Sequence, residues 1–236
     1  MIYLDNAATT KPSESAINKA QKFLKECYFN PSALYKGGID CANEIKEAKE
    51  YILKTLGATN HNVVFNSCGT EGDNQAIFGL VKRGTFLTDK GEHSAVYKSF
   101  LELKQKGQNV LLCDLNKNGS VNTEMLYKII SENKVDFLSI MHVNNETGAI
   151  NDVAEIGRKV KTINPKIIFH VDGVQSYGKL PFRLTKEIDL YTVSAHKINA
   201  LKGTGALIYK KGYTLSPIIF GGGQEGGLRS GTENVF

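Results

Sequence analysis

The 236-residue chain has no run of five or six like charges: 29 Lys and Arg and 24 Asp and Glu leave a formal charge of +5 spread along its length. Nucleic acid and membrane surfaces, which call for a concentrated basic stripe, are therefore not expected partners, whereas small anions remain compatible. Its four cysteines, Cys27, Cys41, Cys68 and Cys113, form no CxxC pair and no His/Cys ligand spacing. That argues against both a disulfide framework and a zinc site, so no metal is expected and a reducing cytoplasm is the expected location. No window approaches the ~20 apolar residues that span a bilayer. The opening MIYLDNAATTKP lacks the basic-then-apolar order of a secretory leader, so a soluble, unexported protein is expected. Internal repeats and low-complexity linkers are also missing, and residues 1–236 read as one domain. At 41% hydrophobic content a sizeable core is expected.

What is present is a rhythm. Pro12 and Ser13 announce a first helix to about Cys27, carried by Ala16, Ala20, Phe23 and Leu24 at helical spacing. A turn-rich NPSALYKGG (30–38) leads to a second helix from about Asp40 to Leu56, with Gly57 as its stop. Then short apolar runs recur: NVVFN (62–66), TFLT (85–88), NVLLCDL (109–115), DFLSIMHV (136–143), KIIFHV (166–171) and the two runs within DLYTVSAHKINALKGTGALIYKK (189–211). Most intervening segments read as helices. Alternation of this kind predicts an α/β fold, a three-layer α/β/α sandwich around a mostly parallel sheet.

In open α/β sheets the ligand lies beyond the carboxyl ends of the strands. Polar clusters follow five of the runs: SCGTEGDN, GEHSAV, NNETG, DGVQ and AHK. Lys197 in the last could form a Schiff base with an aldehyde if its amine is neutral, or could be a solvated loop lysine. Asp172, at a strand end, could pair with the protonated ring nitrogen of a pyridine cofactor, or cap a helix. SCGTEGDN joins strand to helix through Gly69, Thr70 and Gly72, a possible phosphate cradle or an ordinary turn. It matches neither the P-loop pattern nor the GxGxxG dinucleotide turn. His93 could lie flat on an aromatic ring, move protons, or serve as a cap. A Schiff-base lysine, an acid for a ring nitrogen, a phosphate-sized anion site and a ring-stacking histidine together describe pyridoxal 5'-phosphate.

YLDNAATT (3–10), NPSALYKGG, GTEGDNQAI (69–77), EHSAV (92–96), VNNETGAI (143–150), HVDGVQSYGK (170–179), SAHKINALKGTGAL (194–207) and GGGQEGGLRSGTEN (221–234) occur in the order and approximate spacing of cysteine desulfurases. The chain thus resembles these class V aminotransferase-like, fold-type I pyridoxal phosphate enzymes. The resemblance implies conversion of L-cysteine to L-alanine and sulfane sulfur, for iron–sulfur cluster or thio-cofactor assembly. It implies that Lys197 holds the cofactor covalently, Asp172 pairs with the ring nitrogen, His93 stacks on the ring, Gln175 bonds the ring hydroxyl and Asn145 lies beside it. Gly69, Thr70, Ser194 and His196 resemble the phosphate site, and Thr232 resembles a threonine that reaches the phosphate of the neighbouring subunit, which implies a homodimer.

Departures from the family pattern are Cys68 for a glycine, Gly72-Asp73 for Ser-Asn, Asn199-Ala200-Leu201 for His- or Tyr-Gly-Pro, and Gly226 for an arginine. An inward Asp73 would weaken anion binding. Residues 1–236 correspond to the family's cofactor-binding large domain with its N-terminal segment. The resemblance places the cysteine loop that accepts sulfur, and the arginine that binds the substrate carboxylate, in a small C-terminal domain without counterpart here. The expectations are thus low desulfurase turnover by this chain alone and a possible partner in a sulfur-acceptor protein or a separately encoded C-terminal domain. The alternatives are a catalytically silent binding or dimerisation module and another class V activity.

Overall fold

The computed structural model describes residues 2–236. Seven strands, β1 (His61–Asn66), β2 (Thr85–Asp89), β3 (Asn109–Cys113), β4 (Phe137–Met141), β5 (Ile168–Asp172), β6 (Leu190–Ser194) and β7 (Gly205–Lys210), form one sheet in the order β1-β7-β6-β5-β4-β2-β3. Strands β3, β2, β4, β5 and β6 pair in parallel, while β7 is antiparallel to both β6 and β1. The cause of the reversal is the connection. Only residues 195–204 separate β6 from β7, too few for a helical crossover, so the chain must turn back. Because β7 is reversed against both neighbours, β1 still runs in the direction of β6.

Side chains alternate across the sheet with period two. Val64, Phe86, Phe137, Leu190 and Leu207 pack in one core with α3 (Gly69–Gly79) and α4 (Ser94–Gln105). Their neighbours Val63, Leu87, Leu138, Tyr191 and Ile208 pack in the other with the end of α2 (Lys36–Leu56), α5 (Thr123–Glu132) and α6 (Val153–Ile163). This gives the expected three layers, and β4 and β6 are buried along their whole length as strands covered on both faces are.

The helix signals hold with adjustments. The first helix, α1 (Glu14–Glu26), is capped by the Ser13 hydroxyl, which accepts from the Ala16 N–H at 3.2 Å. Gly57 ends α2 in the left-handed region at φ 63°. The second helix, however, begins at Lys36 rather than Asp40. Gly37 and Gly38, which read as turn residues, lie in its first turn because residues 29–33 press against them: a Cβ on Gly38 would stand 2.4 Å from the Ala33 carbonyl oxygen. Strands β3 and β4 stop before the ends of their apolar runs; β4 gives way at His142 to a turn closed by the Asn151 N–H on the His142 carbonyl. Among the described residues no helix is long and apolar enough to cross a membrane.

Candidate active site

Five strand ends meet at one rim, and a cavity of about 270 Å³ opens there. Nine of the ten residues singled out from sequence line it: Gly69, Thr70, His93, Asn145, Asp172, Gln175, Ser194, His196 and Lys197. Thr232 does not; it borders a wider cleft of about 670 Å³ between α1, α2 and residues 232–236, walled by Phe23, Ile45, Tyr51, Phe65 and Phe236. That cleft is larger, but it does not bring together the amine, acid and imidazole of the smaller one.

Lys197 ends the single 3₁₀ turn that follows β6. Its Nζ donates to the Ala7 carbonyl and, at 2.9 Å, to the Ala8 carbonyl. Burial and, next, the Lys179 ammonium depress its pKa, while Asp172 and Asp5 oppose the shift. The amine is therefore easier to deprotonate than a solvated lysine. Beside it, His196 is pushed down by burial and the surrounding ammonium groups of Lys197, Lys202 and Lys179. Its Nδ1 lies 3.0 Å from the Thr9 hydroxyl.

Asp172, the last residue of β5, is 5% exposed. Its Oδ1 accepts from the Val174 N–H at 2.9 Å. Burial raises its pKa, against the pull of that N–H, His93 and Lys197. Next to it Gly173 has no alternative, since a Cβ there would lie 2.1 Å from Tyr191 Cζ. Tyr191 is buried and shares a 2.8 Å hydrogen bond with Ser176. Beneath Asp172 runs a polar chain: Ser139 Oγ to His170 Nδ1 at 2.9 Å, and His170 Nε2 to Thr192 Oγ1 at 2.9 Å. Complete burial lowers the His170 pKa to about 3, so its ring is neutral.

His93 is the N-cap of α4, its Nδ1 accepting from the Ala95 N–H at 3.2 Å, and it remains exposed to the cavity. It is cap and wall at once, so the two readings of its position do not compete. Gln175 is fixed from both ends of its amide: Nε2 donates to the Ala7 carbonyl at 2.8 Å, and Oε1 accepts from Lys179 Nζ at 2.8 Å.

At the end of the cavity where α3 starts, Gly69 and Thr70 open the helix, whose first N–H groups have no intrahelical partner. Among the described residues the buried Ser194 hydroxyl has no hydrogen-bond partner. Glu71 in the same turn faces away: burial would raise its pKa, but Arg229 and Ser67 outweigh that and hold it below the ordinary range. Gly72 requires a correction. Its smallness serves packing rather than anion approach, because a Cβ would meet Thr192 Cγ2 at 2.8 Å on the sheet side. Asp73 does point inward, 1% exposed, and joins Asp172 and His93 in a group in which one ligand atom of each residue lies within 4.8 Å of those of the other two.

The residues present fit pyridoxal phosphate: an amine of lowered basicity, a buried acid, an exposed imidazole, and an orphan hydroxyl beside free helix N–H groups surround one cavity. Sequence reasoning missed the N-terminal contribution. Ala8 lines the cavity, and Thr10 ties its segment to the lysine loop: the Thr10 N–H and hydroxyl donate to the His196 carbonyl at 2.8 and 2.9 Å, and the Asn199 N–H donates to the Thr10 hydroxyl at 2.7 Å. The signal was the alanine pair in NAATT, small enough for carbonyls to approach Lys197. Met141, Val143 and Val174 were missed too; as apolar wall residues they look like core.

The aminotransferase class-V family model matches residues 2–236. A cysteine desulfurase of Nostoc sp. is 39% identical over 240 residues, an alignment covering 100% of this chain and 59% of that protein. The cysteine desulfurase IscS of Dictyoglomus turgidum is 38% identical, covering 99% and 60%. Among solved structures, a NifS-like protein superposes with a TM-score of 0.92 at 37% identity over 99% of this chain and 66% of that one. SspA in complex with cysteine gives 0.91 at 32% over 100% and 69%. The chain spans about three fifths of the length of these curated relatives. With a matching family model, a shared fold and relatives named cysteine desulfurase, the chain belongs to the class-V aminotransferase family.

Proposed function

We propose that this chain binds pyridoxal 5'-phosphate and forms the cofactor-binding part of a cysteine desulfurase. The observation that carries the reading is the convergence of Lys197, Asp172, His93 and the start of α3 on one cavity. When bound, the cofactor supplies an electron sink for charge developing at the substrate α-carbon. Lys197 is the amine that would hold the cofactor covalently and move the proton at that carbon. Asp172 would pair with the ring nitrogen, His93 would cover the ring, and Gln175 and Asn145 would bond the ring hydroxyl. Gly69, Thr70, Ser194 and His196 would hold the phosphate. Thr232 acts on the phosphate of a partner subunit in a homodimer, consistent with its position outside its own chain's cavity. Apolar side chains left exposed at Leu34 (93%) and Phe220 (83%) offer surface for such an interface. The protein acts in the cytoplasm on L-cysteine, with a sulfur-acceptor protein or a C-terminal domain encoded separately as a further partner.

The 236-residue chain alone turns over slowly in this reading. Among the described residues no arginine lines the cavity to fix a substrate carboxylate, and the cysteine that lines it, Cys68, caps α3 at the phosphate end. Orientation can supply several kcal/mol of a barrier, and sulfur transfer needs a thiolate within reach. The same observation favours the second reading, a catalytically silent module of this fold.

The test is reconstitution with excess cofactor. The visible band of a lysine-bound cofactor, and its trapping by borohydride, are expected in the wild type and absent in Lys197→Ala. No band in the wild type refutes the cofactor. Incubation with cysteine and a reductant then separates the two readings: slow sulfide and alanine release, abolished by Lys197→Ala, supports the desulfurase, and none at all supports the silent module. Release at ~1 per second or faster overturns the claim that the chain lacks its acceptor, and a keto acid product points to transamination.

A further inference from the structure

Two backbone carbonyls, those of Ala7 and Ala8, accept from Lys197 Nζ, and the peptide geometry of the N-terminal segment shows why they are available. Residues 6–8 form a turn after Asp5. The Ala8 N–H donates to Asp5 Oδ1 and to the Asp5 carbonyl, at 3.2 Å each, and the Thr9 N–H donates to the same carbonyl at 3.5 Å. In a trans peptide the N–H and the C=O point in opposite directions, and the structure has no cis peptide bond. The carbonyls that share these two peptide units are those of Ala7 and Ala8. Drawing the N–H groups onto Asp5 therefore turns both carbonyls the other way, onto the lysine.

The turn is tied to the loop that carries Lys197. The Thr9 hydroxyl lies 3.0 Å from His196 Nδ1, and the Thr10 N–H donates to the His196 carbonyl at 2.8 Å. An ammonium has three N–H donors; two of those of Lys197 are taken by the turn, while the side chain still lines the cavity. Bonds from a charged donor are the stronger kind. Burial and Lys179 favour the neutral amine, whereas Asp172, Asp5 and the two carbonyls favour the ammonium. Both forms are needed, because the amine bonds the cofactor when neutral and is charged when released.

We propose that the carbonyls of Ala7 and Ala8 are the holding site of the Lys197 ammonium when an incoming amine displaces it from the cofactor, with Asp5 as the positioning residue that presents them. This deepens the cofactor reading and rests on it. In the exchange the incoming ammonium group takes over the bond to the cofactor carbon. On balance two of its three protons pass to the departing nitrogen, which already carries one, so Lys197 leaves as an ammonium and charge is conserved. The turn then accepts two of its three N–H bonds.

The holding site is tested first without cofactor, by the ammonium signals of ¹⁵N-lysine-labelled chain at pH 6. Solvated lysines lose these signals to exchange with water, whereas Lys49, Lys161 and Lys210, in ion pairs, keep them in every variant. One further signal, absent from Lys197→Ala, is expected in the wild type. It should persist in Asp5→Asn, which retains the Oδ1 acceptor, and broaden in Asp5→Ala. No such signal in the wild type overturns the holding site. Equal loss in Asp5→Asn and Asp5→Ala makes the Asp5 charge rather than the carbonyls responsible, and an unchanged signal in Asp5→Ala removes Asp5 as the positioning residue; either refutes the proposal. The loaded chain is then titrated with L-alanine, read by the visible band. Asp5→Ala should weaken displacement of Lys197 several-fold while cofactor binding is unchanged or tighter, since only the released lysine loses its partners. Equal weakening of both, the mark of a merely structural role, or of neither, overturns the role in exchange. If the wild type takes up no cofactor, the cofactor reading fails and the ammonium signal still decides the holding site.

Discussion

Single residues in this chain carry opposed responses to pH. His142 is 6% exposed, packs against Phe182 with ring centroids 4.6 Å apart, and is lowered to about 4 by burial. An unfolded histidine binds its proton near pH 6.5, so between pH 6.5 and 4 the unfolded chain holds the extra proton and stability falls on acidification. Each pH unit in that window costs ~1.4 kcal/mol for one such histidine. Burial moves the carboxyls the other way: Asp89 is raised to about 6, and Asp73 and Glu92 are raised well above their usual values. Their stabilisation is complete below an ordinary carboxyl pKa and is lost as pH rises through the folded value. The two effects oppose each other on the acid side of neutrality. Replacing His142 with Asn should therefore flatten the loss of stability toward pH 4, read as urea midpoints at pH 7, 5.5 and 4.5; equal slopes for the two proteins would refute the assignment. Gly173→Ala belongs to the same scale. With Tyr191 ring atoms where its methyl must go, it should cost about 1–3 kcal/mol as an overpacked core site, measured by denaturant unfolding.

At the scale of elements, the strap formed by residues 7–13 matters more than its length suggests. The Thr10 hydroxyl both donates to the His196 carbonyl and accepts the Asn199 N–H, while Asn199, at φ 59°, also takes the Ser13 N–H on its carbonyl. Thr10→Val removes both hydroxyl bonds and leaves the part-buried Asn199 N–H unpaired, while the His196 carbonyl keeps the backbone N–H of residue 10. It should destabilise by ~1–3 kcal/mol and weaken cofactor binding, measurable by thermal melting with and without cofactor. Asn199→Gly should be tolerated at that left-handed position, and Asn199→Val should not. The elements themselves were largely legible from sequence: five strands and the polar clusters after them show plainly as apolar runs followed by Gly, Asp, Asn or His. The antiparallel direction of β7 was not stated by its composition, since GALIYK reads equally well in either direction and only the short connection decides it. The strap was illegible for a related reason. Its bonds join residues about 190 positions apart, and neither partner carries a periodic signal.

For the molecule as a whole, the homodimer is the claim with most at stake, because Thr232 has a role only if a second copy supplies the cavity it reaches. Light scattering of the cofactor-loaded protein should give a dimer, and a monomer across a wide concentration range would remove the in-trans role. Thr232→Ala should then weaken cofactor binding several-fold, although Thr232 lines no part of its own chain's cavity. The reversed strand β7 has a further consequence, in the time order of synthesis. Among the described residues strand β1 pairs with β7 and with no other strand, yet the two lie about 140 residues apart in the chain. At about 5–20 residues per second on the ribosome, β1 waits on the order of ten seconds with both edges unsatisfied. Through that interval it is a hydrophobic strand open to pairing with another nascent chain, and Lys197 and the carbonyls that receive it remain unjoined until nearly the same moment. In the proposed reading, cofactor capture is thereby a late event, possible only once Lys197 and β7 have both been made.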